Sequence, residues 1–130
     1  MTRDDTPTVL VADDNPDDRE ITKRLLELCC VCRVVEAEDG LDAVGQALSE
    51  RPAMILMDLR MPGLDGYEAA ARIRQHPALQ SVPMIAYSAY YSFTMADEAL
   101  EAGFDEYVRK PVTEEEMKEI VGRFLNVQCT

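Results

Sequence analysis

Acidic residues stand at the ends of two apolar segments of the sequence. Asp13 and Asp14 follow Thr8–Ala12, and Asp58 closes Met54–Asp58. Short apolar segments bounded by turn residues are typical of buried strands, and open α/β sheets bind ligands at the carboxyl ends of their strands. If these two strands are neighbours, three carboxylates converge at one edge of the sheet.

Such a cluster needs compensation for its charge. At an effective dielectric of about 20, two like charges ~4 Å apart repel by about 4 kcal/mol. Either one carboxylate takes up a proton, or a hard divalent cation lies among the three. Mg²⁺ fits the second case, because it binds a few carboxylates and retains several waters.

Two further polar residues close the later apolar segments. Ser88 follows residues 82–87, and Lys110 comes shortly after residues 106–108. A lone carboxylate beside a cation, with a hydroxyl and an ammonium group opposite, has the composition of a phosphoryl-transfer site. The sequence therefore favours Asp58 as the nucleophile that forms an aspartyl phosphate. The cation, Ser88 and Lys110 would neutralise the phosphoryl oxygens.

Five apolar segments alternate with five segments of helical periodicity. The predicted strands cover residues 8–12, 33–37, 54–58, 82–87 and 106–108. Helix starts are marked by Asn15-Pro16, Asp39-Gly40, Asp65, Ser92 or Thr94, and a capping box over residues 113–116. The connections are too long for hairpins. The pattern therefore predicts an α/β fold with a doubly wound, five-stranded parallel sheet and helices on both faces.

Apolar spacing also predicts which side of each helix is buried. In the first helix this side carries Ile21, Leu25 and Leu28, and in the second it carries Leu41, Val44 and Leu48. The corresponding residues of the later helices are Tyr67, Ala70 and Ile73; Met95 and Ala99; and Met117, Ile120, Val121 and Phe124.

Composition narrows the classes of function. The 130 residues are 47% hydrophobic and carry a net charge of −12, which predicts one domain over residues 1–130 and argues against binding to nucleic acid or an anionic membrane. We find no apolar segment long enough for a signal peptide or a membrane span, so a cytoplasmic location is expected. The four cysteines, Cys29, Cys30, Cys32 and Cys129, form no metal-binding or redox pattern and are assigned no role.

The same residues carry a resemblance to a known family. Asp13-Asp14, Asp58 within D-x-x-M-P-x-x-D-G, Ser88-Ala89 and Lys110-Pro111 occur in the order seen in receiver domains of two-component response regulators, including the chemotaxis type. The resemblance covers about residues 7–126. It implies the flavodoxin-like receiver fold, with strand order 2-1-3-4-5.

The resemblance also implies a role for each site residue. Asp58 would accept a phosphoryl group from a histidine kinase or a histidine phosphotransfer protein, and Lys110, before a cis proline, would contact that group. Asp14 would bind Mg²⁺ directly, Asp13 mostly through water, and Asp58 and the backbone carbonyl of Arg60 would be further ligands.

The residues around this site would couple phosphorylation to a change of shape. Ser88 would swing toward the phosphoryl group, and Tyr107, the switch aromatic, would turn inward behind it. Arg60 and Tyr90 flank the site and would tune the lifetime of the phosphorylated form. No independent turnover of a substrate is expected, only self-phosphorylation from a phosphodonor and autodephosphorylation.

Several outputs are compatible with this interpretation. A stand-alone receiver would signal through the acidic surface of helix four, strand five and helix five to a protein partner with basic residues, as a monomer or weak homodimer. Alternatives are an intermediate receiver that passes its phosphoryl group to a histidine phosphotransfer protein, and an interaction domain that works without phosphorylation.

Two other classes of protein fit less well. A phosphatase resembling the haloacid dehalogenases needs a second acid two residues after the nucleophile, where this chain has Arg60. A flavodoxin-like cofactor binder needs a glycine- or hydroxyl-rich loop after the first strand. Residues 13–18 instead carry four acids, which would repel a phosphate.

Overall fold

Five parallel strands form one sheet in the computed structural model, which describes residues 6–90 and 92–125. The sheet order is β2-β1-β3-β4-β5, which confirms the predicted topology. The strands are β1 Thr8–Ala12, β2 Arg33–Ala37, β3 Met54–Asp58, β4 Met84–Ser88 and β5 Glu106–Arg109.

Five helices connect and follow the strands. They are α1 Pro16–Cys29, α2 Gly40–Glu50, α3 Gly66–Arg74, α4 Phe93–Ala102 and α5 Glu114–Ile120, with a 3₁₀ turn at Pro77–Leu79 and a π-helical turn at Val121–Leu125. No helix in the two described ranges combines the length and hydropathy needed to cross a bilayer.

Side chains at the helix starts explain where the helices begin. Asn15 accepts the N–H groups of Asp17 and Asp18, and Ser92 rather than Thr94 caps α4. The predicted capping box is present, with Thr113 and Glu116 bonded reciprocally. Such side chains stabilise a helix by satisfying backbone donors that have no partner within it.

Two apolar layers cover the sheet, one on each face. Alternate residues of β3 point to opposite layers: Ile55 and Met57 to one, Met54 and Leu56 to the other. The first layer is closed by α2, α3 and α4, which contribute mainly alanines, and the second by α1 and α5. This arrangement leaves only the ends of the strands accessible to polar ligands.

The predicted buried face of α1 is wrong by one residue. Ile21 and Leu28 are 60% and 65% exposed and Leu25 is half-buried, whereas Thr22, Leu26 and Cys29 face the sheet. Both sets have the same helical spacing and differ by a rotation of about 100°. Periodicity alone cannot choose between them, and the shorter side chains of Thr22 and Cys29 let the helix lie close to the strands.

The second helix shows a related difference. Leu41 is 65% exposed and Leu48 is 38% exposed, while Ala43 and Ala47 are fully buried. Small residues at the contact allow α2 to approach the sheet and α3 closely, so the leucines lie at the rim.

Two residues assigned no role by sequence, Cys29 and Cys30, are buried, and Cys32 is half-buried. The fourth cysteine, Cys129, lies outside the described residues.

Candidate functional site

The ends of β1 and β3 bring the predicted acidic residues together. One carboxylate oxygen each from Asp13, Asp14 and Asp58 lies within 4.8 Å of the other two. Asp13 is fully buried, Asp58 is 6% exposed, and Asp14 is exposed. This convergence follows from the sheet order, because β1 and β3 are hydrogen-bonded neighbours with Ala12 opposite Met57.

A close approach of two segments holds Asp58 in place. Gly66, the first residue of α3, lies against the backbone of Asp58, and a Cβ added to it would be 2.4 Å from the Asp58 carbonyl oxygen. Only glycine fits this contact. The Gly66 N–H also donates to the carbonyl of Leu59 at 3.0 Å, so the glycine of the D-x-x-M-P-x-x-D-G motif fixes the start of α3 against the end of β3.

Lys110 connects the carboxylates. Its Nζ lies 2.9 Å from Asp13 Oδ2, 2.9 Å from Asp58 Oδ2 and 3.2 Å from Asp18 Oδ2. Burial alone would lower the pKa of Lys110, but its hydrogen bonds to Asp13 and Asp58 outweigh this effect and raise its pKa above the ordinary value. The side chain therefore remains a cation between two buried acids.

The other oxygen of each buried acid is held by the backbone. Asp58 Oδ1 accepts the N–H of Arg60 at 3.0 Å, and Asp13 Oδ1 accepts the N–H of Asn15 at 3.0 Å. Burial raises the pKa of Asp58, and the hydrogen bonds from Lys110 and Arg60 offset part of that rise. Asp58 is thus a partly desolvated carboxylate in a fixed orientation.

Tyr87 is a member of this cluster that the sequence analysis missed. It is 1% exposed, its hydroxyl donates to Asp13 Oδ2 at 2.9 Å, and its ring centroid lies 4.8 Å from the Lys110 Nζ. Burial, and then the charge of Asp13, raise the pKa of Tyr87, so the phenol stays protonated. The sequence did offer one indication of this role, because Tyr87 carries a hydroxyl and directly precedes Ser88 at the end of β4.

The remaining predicted residues lie on the other side of Asp58. Ser88 is 1% exposed, and its Oγ accepts the N–H of Tyr90 at 3.2 Å. The Arg60 guanidinium lies 4.6 Å from the centre of the Tyr90 ring, which is largely exposed. Tyr107 is half-buried, and its hydroxyl donates to the Tyr90 carbonyl.

The donor set suits a hard divalent cation. Three carboxylates within one small region supply oxygen ligands only, which is the chemistry that Mg²⁺ prefers. Asp14 is exposed and Asp58 lies near the surface, so both can meet an ion that keeps part of its water shell. The predicted cis bond between Lys110 and Pro111 is observed. The predicted ligand role of the Arg60 carbonyl stays a prediction.

Comparison with known proteins gives a consistent match. A model of the response regulator receiver domain family matches residues 9–122. Sensor protein GacS of Pseudomonas syringae pv. syringae is 35% identical over 118 residues, which cover 88% of this chain and 13% of GacS. Protein PilG of Pseudomonas aeruginosa is 34% identical over 109 residues, which cover 84% of this chain and 80% of PilG.

A solved structure agrees with the sequence relatives. The receiver domain of sensor histidine kinase PA1611 from Pseudomonas aeruginosa PAO1 superposes with a TM-score of 0.85 at 34% identity, covering 93% of this chain and 98% of that one. That structure holds a magnesium ion coordinated in its active-site cleft.

Proposed function

This chain belongs to the response regulator receiver domain family, and from that membership we propose that phosphorylation of Asp58 switches it between two states. The observation that carries the proposal is the Lys110 ammonium lying 2.9 Å from both Asp13 and Asp58. It pairs a nucleophilic carboxylate with a fixed cation at the accessible edge of the sheet.

The phosphoryl donor is a histidine kinase or a histidine phosphotransfer protein. A carboxylate oxygen of Asp58 forms a bond to phosphorus while the bond from phosphorus to the donor imidazole nitrogen breaks, and the imidazole leaves with a proton. Asp14, Asp58 and the Arg60 carbonyl would hold Mg²⁺, with Asp13 acting mostly through water, and the ion would neutralise charge on the phosphoryl oxygens. Lys110 follows those oxygens by moving its hydrogen bond from the Asp58 carboxylate to the phosphoryl group.

Ser88 and Tyr107 transmit the change. The Ser88 hydroxyl can donate to a phosphoryl oxygen, and its Oγ is bonded to the N–H of Tyr90. Because the Tyr90 carbonyl accepts from Tyr107, a movement of Ser88 displaces both aromatic residues. A shift from 1:99 to 99:1 needs about 5.5 kcal/mol, which a few charge-assisted hydrogen bonds to one phosphoryl group can supply.

Arg60 and Tyr90 tune the lifetime of the aspartyl phosphate. The Arg60 guanidinium lies against the largely exposed ring of Tyr90, and the Arg60 N–H donates to Asp58. A water molecule that hydrolyses the acyl phosphate has to pass them, so their contact slows the loss of the phosphoryl group.

The output surface is the face of α4, β5 and α5. It carries exposed acids together with two exposed apolar side chains, Phe93 at 80% and Leu100 at 56%. The exposed acids are Asp97, Glu98, Glu101, Glu114, Glu115, Glu116 and Glu119. A protein partner with basic residues around an apolar contact complements this face.

A role within a phosphorelay is the second candidate. It is favoured by the similarity to GacS, a sensor protein in which the matching segment makes up only 13% of the chain. The similarity to PilG, of which the match covers 80%, favours a separate regulator instead. Transfer of the phosphoryl group from Asp58 to a histidine phosphotransfer protein would distinguish the relay from a direct output.

Intact-mass measurement with a small acyl phosphate and Mg²⁺ tests the proposal. We expect one phosphoryl adduct per chain, absent without the metal and absent in Asp58→Asn. Asp97→Asn is the matched control, because it makes the same change at an exposed acid on α4 and should keep the adduct. An adduct that persists in Asp58→Asn would contradict the assignment of the phosphoacceptor.

A further inference from the structure

Tyr87 occupies a place in the site that the proposed roles of the three carboxylates, Lys110, Ser88 and Tyr107 do not explain. In the sheet it stands opposite Asp58, its register partner on β3. Its hydroxyl nevertheless bonds to Asp13, beyond the end of β1. Neighbouring strands lie about 4.8 Å apart, so the side chain reaches across the whole width of β3. A hydroxyl at the end of a long, rigid side chain is suited to this contact.

The hydroxyl links β4 to the end of β1 next to α1. It donates to Asp13 at 2.9 Å, and the side chain of Thr22 on α1 lines the same cavity as Tyr87. Thr22 is only 6% exposed, so this network is shielded from water. The hydroxyl of a buried tyrosine usually finds a hydrogen-bond partner. Here that partner is Asp13, one of the three carboxylates that could hold a metal ion.

The hydrogen bonds to Asp13 limit how that carboxylate can act. Oδ1 accepts the N–H of Asn15, and Oδ2 accepts both the Tyr87 hydroxyl and the Lys110 ammonium. A carboxylate with three donors is fixed in orientation and has few lone pairs left. Asp13 can therefore hold the water shell of an ion but is poorly placed to turn and coordinate it directly.

We propose that Tyr87 is a positioning residue of the metal site, whose hydroxyl holds Asp13 in the orientation that supports Mg²⁺ binding. This inference rests on the proposed function. Partners that orient a metal-binding side chain commonly contribute 10–100-fold to affinity. Tyr87 also supports Lys110 through its ring, and this second contact does not need the hydroxyl.

Tyr87→Phe separates the two contributions, since it keeps the ring and removes only the hydroxyl. Calorimetric titration of the full chain with Mg²⁺ should show a dissociation constant about tenfold higher than that of the wild type. At saturating Mg²⁺, phosphorylation by a small acyl phosphate should return to within about twofold of the wild-type rate, because Asp58 and Lys110 are unchanged. A general loss of structure would not be rescued by Mg²⁺ in this way.

Tyr67→Phe is the matched control. It removes a phenol hydroxyl that donates to the Met95 carbonyl at 3.5 Å and not to Asp13, and it should leave Mg²⁺ affinity unchanged. Thr22→Val is a second test that keeps Tyr87. It removes a polar side chain that lines the same cavity as Tyr87, and this loss should weaken Mg²⁺ binding about threefold.

Different results would contradict the proposed function and the proposed role of Tyr87. If the wild type binds no Mg²⁺ and takes up no phosphoryl group, the proposed function fails. If the wild type binds Mg²⁺ and a folded Tyr87→Phe binds it equally well, the inference is overturned. A rate defect that saturating Mg²⁺ does not rescue also overturns it. If Tyr87→Phe does not fold, an unchanged affinity in Thr22→Val overturns the inference, and a weaker affinity supports it.

Discussion

The two sides of Asp58 are built differently. On the side of α1 and α5, buried Asp13 accepts hydrogen bonds of 2.9 Å from buried Tyr87 and half-buried Lys110. We call these three residues together with Asp58 the acidic cluster. On the side of α4, Ser88, Tyr90 and Tyr107 are linked through backbone atoms, and Tyr90 is 59% exposed. We call these three residues the switch group.

The difference suggests a division of work within one site. Charged groups that are fixed by burial need little reorganisation when a phosphoryl group arrives, which favours catalysis by electrostatic stabilisation. In the switch group Tyr90 is largely exposed, and an exposed side chain can adopt a second arrangement at low cost. We therefore expect changes in the acidic cluster to alter phosphorylation and changes in the switch group to alter the response to it.

The largest effect should come from removing the cation of the acidic cluster. Lys110→Met should slow phosphorylation of Asp58 by a small donor about 100-fold, the usual result of removing one preorganised charge-stabilising donor. A time course of intact mass at saturating Mg²⁺ measures this. Lys118→Met, which removes an exposed lysine paired with Glu114 at 3.2 Å, should phosphorylate normally. If Lys110→Met is phosphorylated at a rate within a few-fold of the wild type, the acidic cluster does not control phosphorylation as we expect.

The second-largest effect should come from disturbing the contact between Gly66 and the backbone of Asp58. Gly66→Ala places a Cβ 2.4 Å from the Asp58 carbonyl oxygen, and overpacking of this kind should lower the free energy of unfolding by about 2 kcal/mol. Gly45→Ala is the control, because its Cβ would meet nothing within 4 Å, and it should raise stability by about 0.5–1 kcal/mol in a helix. Urea unfolding measures both, and equal stabilities would show that this contact is not rigid.

A change in the switch group should separate phosphorylation from its consequence. Ser88→Ala should keep the yield of phosphorylated Asp58, but loss of one charge-assisted hydrogen bond should reduce the ratio of switched to unswitched molecules about tenfold. The NMR signals of Tyr107 before and after phosphorylation measure this ratio. Ser49→Ala, at an exposed position of α2, should respond like the wild type. A full response in Ser88→Ala would show that the acidic cluster alone drives the change.

The smallest effect should come from the exposed stacked pair. Arg60→Ala and Tyr90→Ala should each shorten the lifetime of the phosphorylated form about threefold, in keeping with ~0.5–1 kcal/mol for an exposed cation–π contact. The double variant should be no faster than either single variant, because each removes the same contact. Decay of the phosphoryl adduct by mass measures these lifetimes, with Arg72→Ala on α3 as the control. Additive effects would mean that the two residues act separately.

The sequence predicted the acidic cluster more completely than the helix surfaces. The acids and Lys110 could be assigned because a strand end is a local feature: an apolar segment stops and a polar residue follows. Parallel topology then brings those ends to one edge. For α1, two sets of residues satisfy the same periodicity, and the choice of Thr22 over Ile21 depends on packing against strands distant in sequence.

Contacts between residues that are far apart in the sequence could not be predicted either. The position of Tyr87 before the strand-end Ser88 indicates that it is near the site, but it does not indicate a bond to Asp13, 74 residues away. The pairing of Lys110 with Asp18, 92 residues apart, is of the same kind. Such contacts depend on strand register and side-chain length together, and a single sequence gives neither.

The two apolar layers also determine when a growing chain can fold. The buried residues of the layer beneath α2, α3 and α4 extend only to Phe104, whereas the opposite layer needs Met117 and Ile120 from α5 and Val121 from the π-helical turn that follows. Domains emerge from the ribosome with the N-terminus first. The apolar residues of α1 therefore lack their packing partners from α5 until that helix has been synthesised. Lys110 lies four residues before the first residue of that helix, Glu114. The nascent chain therefore completes its second layer and its phosphorylation site at nearly the same moment of translation.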